Sequence, residues 1–400
     1  TERVSDISLF RSVPEDRVSN RFRRLANGDV ELSYYRFSYT FPEKFSARED
    51  ALEISFEVTP YSNPPSNVHV LIGRNGVGKT TCMTHMIKSI LDIQDDDPGS
   101  FEVQSENGSA EISNVISVTF SAFDPSFPPE KKYKDEYAYI GLKRKATKVE
   151  KELYDDAGME LPDYFLKNLD DLKSEFVKTA QRCRKGVKRE RWKSALDALS
   201  ADPLFAESEV LDLVEDEFHD DEDWKYEAEL IFDGLSSGHK VVLLTISRLV
   251  ELVQEQSLVL LDEPEGHPHP PLLSAFVRAL SSLLKNQNGV ALIATHSPVV
   301  LQEVPRNCVW ILDRAGRTID AQRPSLETFG ESVGQLTHEV FGLEVTDTGF
   351  YRMVREAMLE DGDLDSLSEH FGGKLGSEAI AVASALAYDP SGEWLNEKPA

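Results

Sequence analysis

Between Ile72 and Thr81 the chain reads Gly73-Arg74-Asn75-Gly76-Val77-Gly78-Lys79-Thr80, a glycine-spaced turn that ends in a lysine and a hydroxyl. Glycines let successive backbone N–H groups point inward at an anion, and a helix that starts at the lysine adds its positive end. Asn75, Gly76, Gly78, Lys79, Thr80 and Thr81 are therefore the expected nucleotide-phosphate set, with Lys79 bridging the β- and γ-phosphates and Thr80 holding Mg²⁺. Leu258-Val259-Leu260-Leu261-Asp262-Glu263 is an apolar run that ends in two carboxylates. A carboxylate at such a strand end is costly unless it meets a cation, so Asp262 is read as the second Mg²⁺ ligand. Glu263 beside it would orient or deprotonate an attacking water. His296, in Ala294-Thr295-His296-Ser297-Pro298, stands at the end of another apolar run and would face the γ-phosphate. In Leu235-Ser236-Ser237-Gly238-His239, Ser236 suits a helix N-cap. Its Oγ and the Gly238 N–H also make a γ-phosphate contact, and the two roles are compatible. The histidines of Glu265-Gly266-His267-Pro268-His269-Pro270 admit a metal reading, but two prolines favour a rigid loop.

These residues need a scaffold of strands that stop at one edge. Val68 to Ile72, a glycine turn and a helix from about Lys79 give strand–loop–helix. Val30 to Phe41 and Leu52 to Val58 read as strands, preceded by an Asn27-Gly28 turn, and Phe101–Ser105 with Ala110–Phe120 as a hairpin across 106–109. Charged, helix-favouring sequence fills Lys131 to Tyr226. After it come a helix from Val241, the Leu258–Leu261 strand, a helix from Pro270, and strands at Val290–Ala294 and Val309–Leu312, with a helical tail beyond Thr346. The alternation predicts an α/β fold with a mainly parallel sheet, an N-terminal antiparallel β subdomain and a helical insertion. The expected division is 1–130 with the phosphate loop, 131–228 as the insertion, 229–345 with the remaining motifs, and 346–400 as the tail.

Four hundred residues with 40 % hydrophobic content fit a globular chain of more than one domain. The polar N-terminal stretch shows no targeting segment, and the longest mostly apolar stretch, Ala379 to Tyr388, is too short to span a bilayer; a cytoplasmic protein without membrane contact is expected. Cys82, Cys183 and Cys308 have no metal-ligand spacing and read as reduced, buried thiols. A net charge of −27 repels phosphate backbones on average, so nucleic-acid contact requires a local basic patch or a basic partner. One patch exists, Arg182, Arg184, Lys185, Lys188, Arg189, Arg191 and Lys193. It reads equally as a solvated helix face or as a nucleic-acid or acidic-partner contact.

Taken together, the glycine loop, the Leu-Ser-Ser-Gly-His segment, the Asp262–Pro270 acidic motif and the Thr295-His296-Ser297 motif resemble the ABC-type ATPases of the SMC and OLD-like group. More narrowly, Tyr137–Lys143, Thr119–Asp124 and the region from Thr328 to Tyr351 are similar to the PtuA-like ATPases of Septu-type and retron-associated anti-phage systems. That resemblance implies an ABC-type head that binds ATP with Mg²⁺, hydrolyses it slowly, and assembles as a homodimer or higher oligomer. Lys79, Thr80, Asp262, Glu263 and His296 would form one half-site, and Ser236 and Gly238 would serve the ATP of the opposite subunit. It also implies a separate HNH nuclease partner, PtuB-like, in antiviral defence. Two departures stand out: a glutamine expected after the strand ending near Phe120 is replaced by Ser121 or Asp124, and the signature has Ser-Ser-Gly-His where Ser-Gly-Gly-Gln is usual. Asp361-Gly362-Asp363 lacks the strand and upstream Glu of a nuclease metal site, so no nuclease activity is expected within the chain. The alternative is a DNA-repair or chromosome-associated ABC ATPase that binds DNA directly; a transporter motor fits poorly.

Overall fold

The computed structural model describes residues 32–45, 51–93, 97–105, 112–121, 131–215, 218, 220–316, 318–347, 349–361 and 363–388. The Asn27-Gly28 turn, the 106–109 connection, Asp124 and Gly362 lie outside the described residues. In chain order the elements are β1 (Tyr35–Thr40), β2 (Glu53–Val58), β3 (Val68–Ile72), α1 (Lys79–Ile90), β4 (Ser100–Ser105), β5 (Val115–Thr119) and β6 (Tyr137–Gly141). Then come β7 (Lys143–Arg144), α2 (Lys148–Asp156), β8 (Phe165–Leu166), α3 (Leu169–Cys183), α4 (Val187–Leu199), α5 (Asp221–Gly234), α6 (Ser237–Leu252) and β9 (Leu258–Asp262). The chain continues with α7 (Pro270–Lys285), β10 (Val290–Thr295), β11 (Val309–Ala315), β12 (Thr318–Gln322), α8 (Val333–Asp347), α9 (Gly349–Asp361), α10 (Leu364–His370) and α11 (Ser377–Tyr388).

Among the described residues, seven strands form the central sheet in the order β12-β11-β3-β10-β9-β5-β6, parallel except for the β11–β12 hairpin. Its inner strands are buried along nearly their whole length, as a parallel sheet covered on both faces requires. Alternate residues serve opposite layers. Val70, Ile116, Leu261 and Ile293 pack with α3, α4, α6 and α7 on one face. Leu71, Val115, Leu260 and Leu292 pack on the other with α1 and the small antiparallel sheet β2-β1-β4. Burying each such aliphatic side chain contributes about 1.5–3 kcal/mol.

The fold class is as read from the sequence, with local differences. β4 and β5 are not a hairpin: β4 joins β1 in the small sheet, whereas β5 lies between β6 and β9 in the central one. Strand β6 falls inside the span read as a helical insertion, and α3, α4 and α5 after it share one continuous core with the central sheet. Alternating apolar residues mark sheet-lining positions but not which sheet they line, and that choice is made by long-range packing. The β12 return strand is short and half polar, so it carries no strong period.

Candidate functional site

Strand register brings the chemistry to one edge. Thr295 pairs with Ile72, and Asp262 pairs with both Ala294 and Thr119, so β3, β10, β9 and β5 end level with one another. The segments that follow, Gly73–Thr80, His296-Ser297 and Glu263–His269, therefore emerge side by side at the carboxyl ends of parallel strands, where open α/β sheets bind ligands.

In the first segment Gly76 and Gly78 have φ of 83° and 107°, values a side chain would strain, and Gly78 leads directly into α1. Gly73 is a different case: a Cβ there would meet the Leu312 carbonyl oxygen at 2.3 Å, so β11 fixes the loop's first residue. Lys79 is 4 % exposed and its Nζ donates to the carbonyls of Gly73 and Arg74 at 2.8 and 3.0 Å, which bends the ammonium across the loop. Burial lowers its pKa, and Glu263, Asp262 and Glu265 oppose that shift. Asn75 and Thr81 are exposed at the loop rim and in the first turn of the helix.

The Thr80 hydroxyl donates to Asp262 Oδ2 at 2.8 Å. A hydroxyl and a carboxylate in contact, both hard oxygen donors, fit Mg²⁺. Among the described residues no group of three or more His, Cys, Asp or Glu side chains could hold a metal, so such an ion would depend on nucleotide oxygens and water for its remaining ligands, as Mg²⁺ commonly does. In the loop after Glu263, His269 Nε2 instead lies 2.9 Å from Asp202 Oδ2.

Glu263 has φ of 47°, unusual for a residue with a side chain, and its N–H is tied to the Ala294 carbonyl at 2.9 Å. The strained backbone turns the chain sharply after Asp262. His296 is half exposed, its Nδ1 3.7 Å from Glu263 Oε1 and 3.2 Å from Glu265 Oε1. Glu265 was not singled out in the sequence, yet it organises this corner. Its Oε1 accepts the His296 N–H at 2.8 Å and the Thr295 hydroxyl at 2.5 Å, locking the β10 end to the loop after β9. The only signal was a second glutamate two residues beyond Glu263 in an acidic motif.

Ser236 caps α6 and is exposed, and its hydroxyl is engaged by His239. Gly238 is buried, and a Cβ there would meet the His267 carbonyl oxygen at 2.7 Å, so the start of α6 lies directly against the loop that follows Glu263. Ser121, at the end of β5, is half buried with its N–H near the Thr119 hydroxyl at 3.4 Å.

The basic segment at the α3–α4 turn is largely engaged within the chain. Arg182 pairs with Glu251, Arg184 and Lys185 with Asp221, and Lys193 with Glu215. Lys188 and Arg189 donate to the carbonyls of Glu251 and Val214 at 2.9 and 2.7 Å. Trp192 is fully buried and donates to the Ser247 hydroxyl, which removes it as a base-stacking surface. The acidic run from Asp220 caps and lines the first turn of α5. Asp363, read above as part of a turn, caps α10 through the N–H groups of Asp365 and Ser366. No helix among the described residues is long and apolar enough to cross a membrane.

Residues 184–302 match the AAA_21 family, described as "AAA domain, putative AbiEii toxin, Type IV TA system". Solved structures similar to this chain include the ADP conformation of MJ1267, an ATP-binding cassette of an ABC transporter. It is 16 % identical with a TM-score of 0.34, covering 79 % of this chain and 98 % of that one. Another is cbiO1 from Clostridium perfringens, part of the ABC transporter complex cbiONQ, 16 % identical with a TM-score of 0.33 over 80 % and 94 % of the two chains. Loop, acidic strand end, parallel sheet and the AAA_21 match support a nucleotide-binding ATPase. Over 410 residues, spanning 96 % of this chain and 74 % of its relative, the sequence is 40 % identical to protein ea59 of Escherichia phage lambda. At that identity and coverage the chain belongs to the ea59 family.

Proposed function

We propose that the protein is an ATPase that binds ATP at the Gly73–Thr80 loop, hydrolyses it slowly, and closes on a second copy when ATP is present. The observation that carries this reading is the contact of Thr80 with Asp262 at a sheet edge shared with Lys79, Glu263 and His296. Asn75, Gly76, Gly78 and Thr81 would surround the phosphates from the loop and first helical turn, and Lys79 would leave its carbonyl partners for the β- and γ-phosphates. Thr80 and Asp262 are the residues that would hold Mg²⁺, which when bound supplies charge neutralisation at the β- and γ-phosphates. Glu263 would orient and deprotonate the water, and His296, steadied by Glu265, would face the γ-phosphate. Ser236 and the Gly238 N–H would reach the γ-phosphate held by the partner copy.

The readout of closure, in this proposal, is control of a separate HNH nuclease in anti-phage defence. The segments similar to PtuA-like ATPases support it, and a chain of net charge −27 suits a basic partner. Direct DNA binding is the weaker alternative, because the basic side chains are drawn into internal pairs.

Glu263→Gln tests the core of the reading. ATP hydrolysis should fall by about 100-fold or more while ATP binding persists, and light scattering should show a dimer accumulating with ATP. Unchanged hydrolysis would remove Glu263 from the reaction. If the trapped dimer gains no affinity for an HNH nuclease encoded beside it, the partner assignment fails and the ATPase reading stands.

A further inference from the structure

The residue after Gly238 is a histidine whose ring joins the exposed Ser236 hydroxyl to a buried carboxylate. Ser236 Oγ lies 2.6 Å from His239 Nδ1, and His239 Nε2 lies 3.2 Å from Asp202 Oδ1. Asp202 is 1 % exposed, and its Oδ1 also accepts the Phe205 N–H at 3.0 Å. Its Oδ2 faces His269 Nε2 at 2.9 Å, ion-pairing distance, although it receives no aligned hydrogen bond. Burial pushes the Asp202 pKa up, but the Phe205 N–H and the two histidines outweigh it and hold the carboxyl below its ordinary value.

An ionised carboxylate only accepts hydrogen bonds, so His239 Nε2 carries a hydrogen. In the neutral ring Nδ1 is then an acceptor, and the Ser236 hydroxyl donates inward to it. Only the lone pairs of Oγ are left for an incoming group, which is the wrong polarity for a phosphate oxygen. With a second proton the ring donates Nδ1–H to Oγ, and the serine hydrogen turns outward.

We infer that His239, backed by Asp202, is a positioning residue that sets the direction of the Ser236 hydroxyl, and that uptake of one proton by this pair aims the hydroxyl at the terminal phosphate of a nucleotide held by a second copy. This rests on the dimer reading above. The proton is favoured by Asp202 and by Glu207, Glu209 and Glu227, which line with Ser236 and His239 a cavity of about 520 Å³. It is opposed by a charged His269 and by Lys240, whose ammonium is bound to the Asp233 carbonyl at 3.0 Å. The Phe205 ring lies over His239, with centroids 6.1 Å apart.

The experiment measures ATP-driven dimerisation of the full chain by light scattering with Mg²⁺, in the Glu263→Gln background, from about pH 8.5 down to about pH 6, the range in which a histidine changes charge. The affinity should rise by roughly tenfold as pH falls. His239→Gln should flatten the profile, because a carboxamide donates N–H at every pH. Asp202→Asn should move the profile to lower pH, and His269→Gln to higher pH by removing a competing charge. Opposite shifts are not produced by a merely structural role. A flat profile with dimers present overturns this inference alone, as does a shift of both variants in one direction. Absence of ATP-driven dimers at every pH overturns the dimer reading and this inference with it. Should Asp202→Asn fail to fold, ¹⁵N spectra of histidine-labelled wild-type protein decide: the ring lost in His239→Gln should be the Nε2–H tautomer at high pH, and the Nδ1–H tautomer would overturn the assignment.

Discussion

Two regions would meet a nucleotide, and they are built differently. At the sheet edge the groups are placed by backbone: strand register sets the levels, Gly76 and Gly78 set the turn, and together they bring the Thr80 and Asp262 side chains into contact. At the start of α6 the contact hydroxyl is held by a side chain, His239, whose own state depends on Asp202 and His269. A site held by backbone binds whenever substrate arrives. One held by a titratable side chain binds on condition, and that suits a step that should follow the first.

The sharpest way to break this comparison is Lys79→Ala. Loss of two charge-assisted phosphate contacts, at roughly 1.5–3 kcal/mol each, should weaken ATP binding by about 100-fold or more. Titration with a fluorescent ATP analogue reads it. Retained affinity would show that the loop is not the primary site.

A smaller effect is expected at the other region. Gly238→Ala places a methyl group 2.7 Å from the His267 carbonyl oxygen, a backbone atom that cannot swing away. Overpacking of this kind costs about 1–3 kcal/mol, and the shifted helix start should weaken ATP-driven dimerisation by about tenfold while ATP affinity at the glycine loop stays unchanged. An equal loss of both would mean that the two regions are one unit.

The same division explains what could be read from the chain. The glycine loop, Asp262 and Glu263 were legible because local sequence fixes them: a glycine turn between a β-branched strand and a helix, and carboxylates at the end of an apolar run. Asp202 was invisible for the opposite reason. It caps a four-residue helix, Pro203–Ala206, and meets His239 across 37 positions of chain. Contacts at such separation leave no period in the sequence. Glu265 was present in a recognised motif, but its role depends on the β9–β10 pairing that brings His296 to it. The basic stretch left two readings open because composition does not show its partners: Glu251 and Asp221 lie far along the chain.

Acid acts on the two regions by different routes, and His69 separates them. It lies in β3 just before the glycine loop, fully buried against the edges of Phe37 and Phe56, and burial pushes its pKa down from 6.5 to about 3. The fold holds it neutral, while the unfolded chain takes up a proton below about 6.5. Its contribution to stability is therefore complete above that value and is lost as pH falls toward 3, at up to about 1.4 kcal/mol per pH unit. His69→Leu should flatten that part of the urea-denaturation profile between about pH 6 and pH 4.5. Near pH 6 the loss is only a fraction of a pH unit's worth, so the same substitution should leave the pH profile of ATP-driven dimerisation unmoved. If both profiles flattened together, the acid response assigned to Ser236 and His239 would belong to the fold beneath the loop, and the contrast between a fixed and a conditional site would disappear.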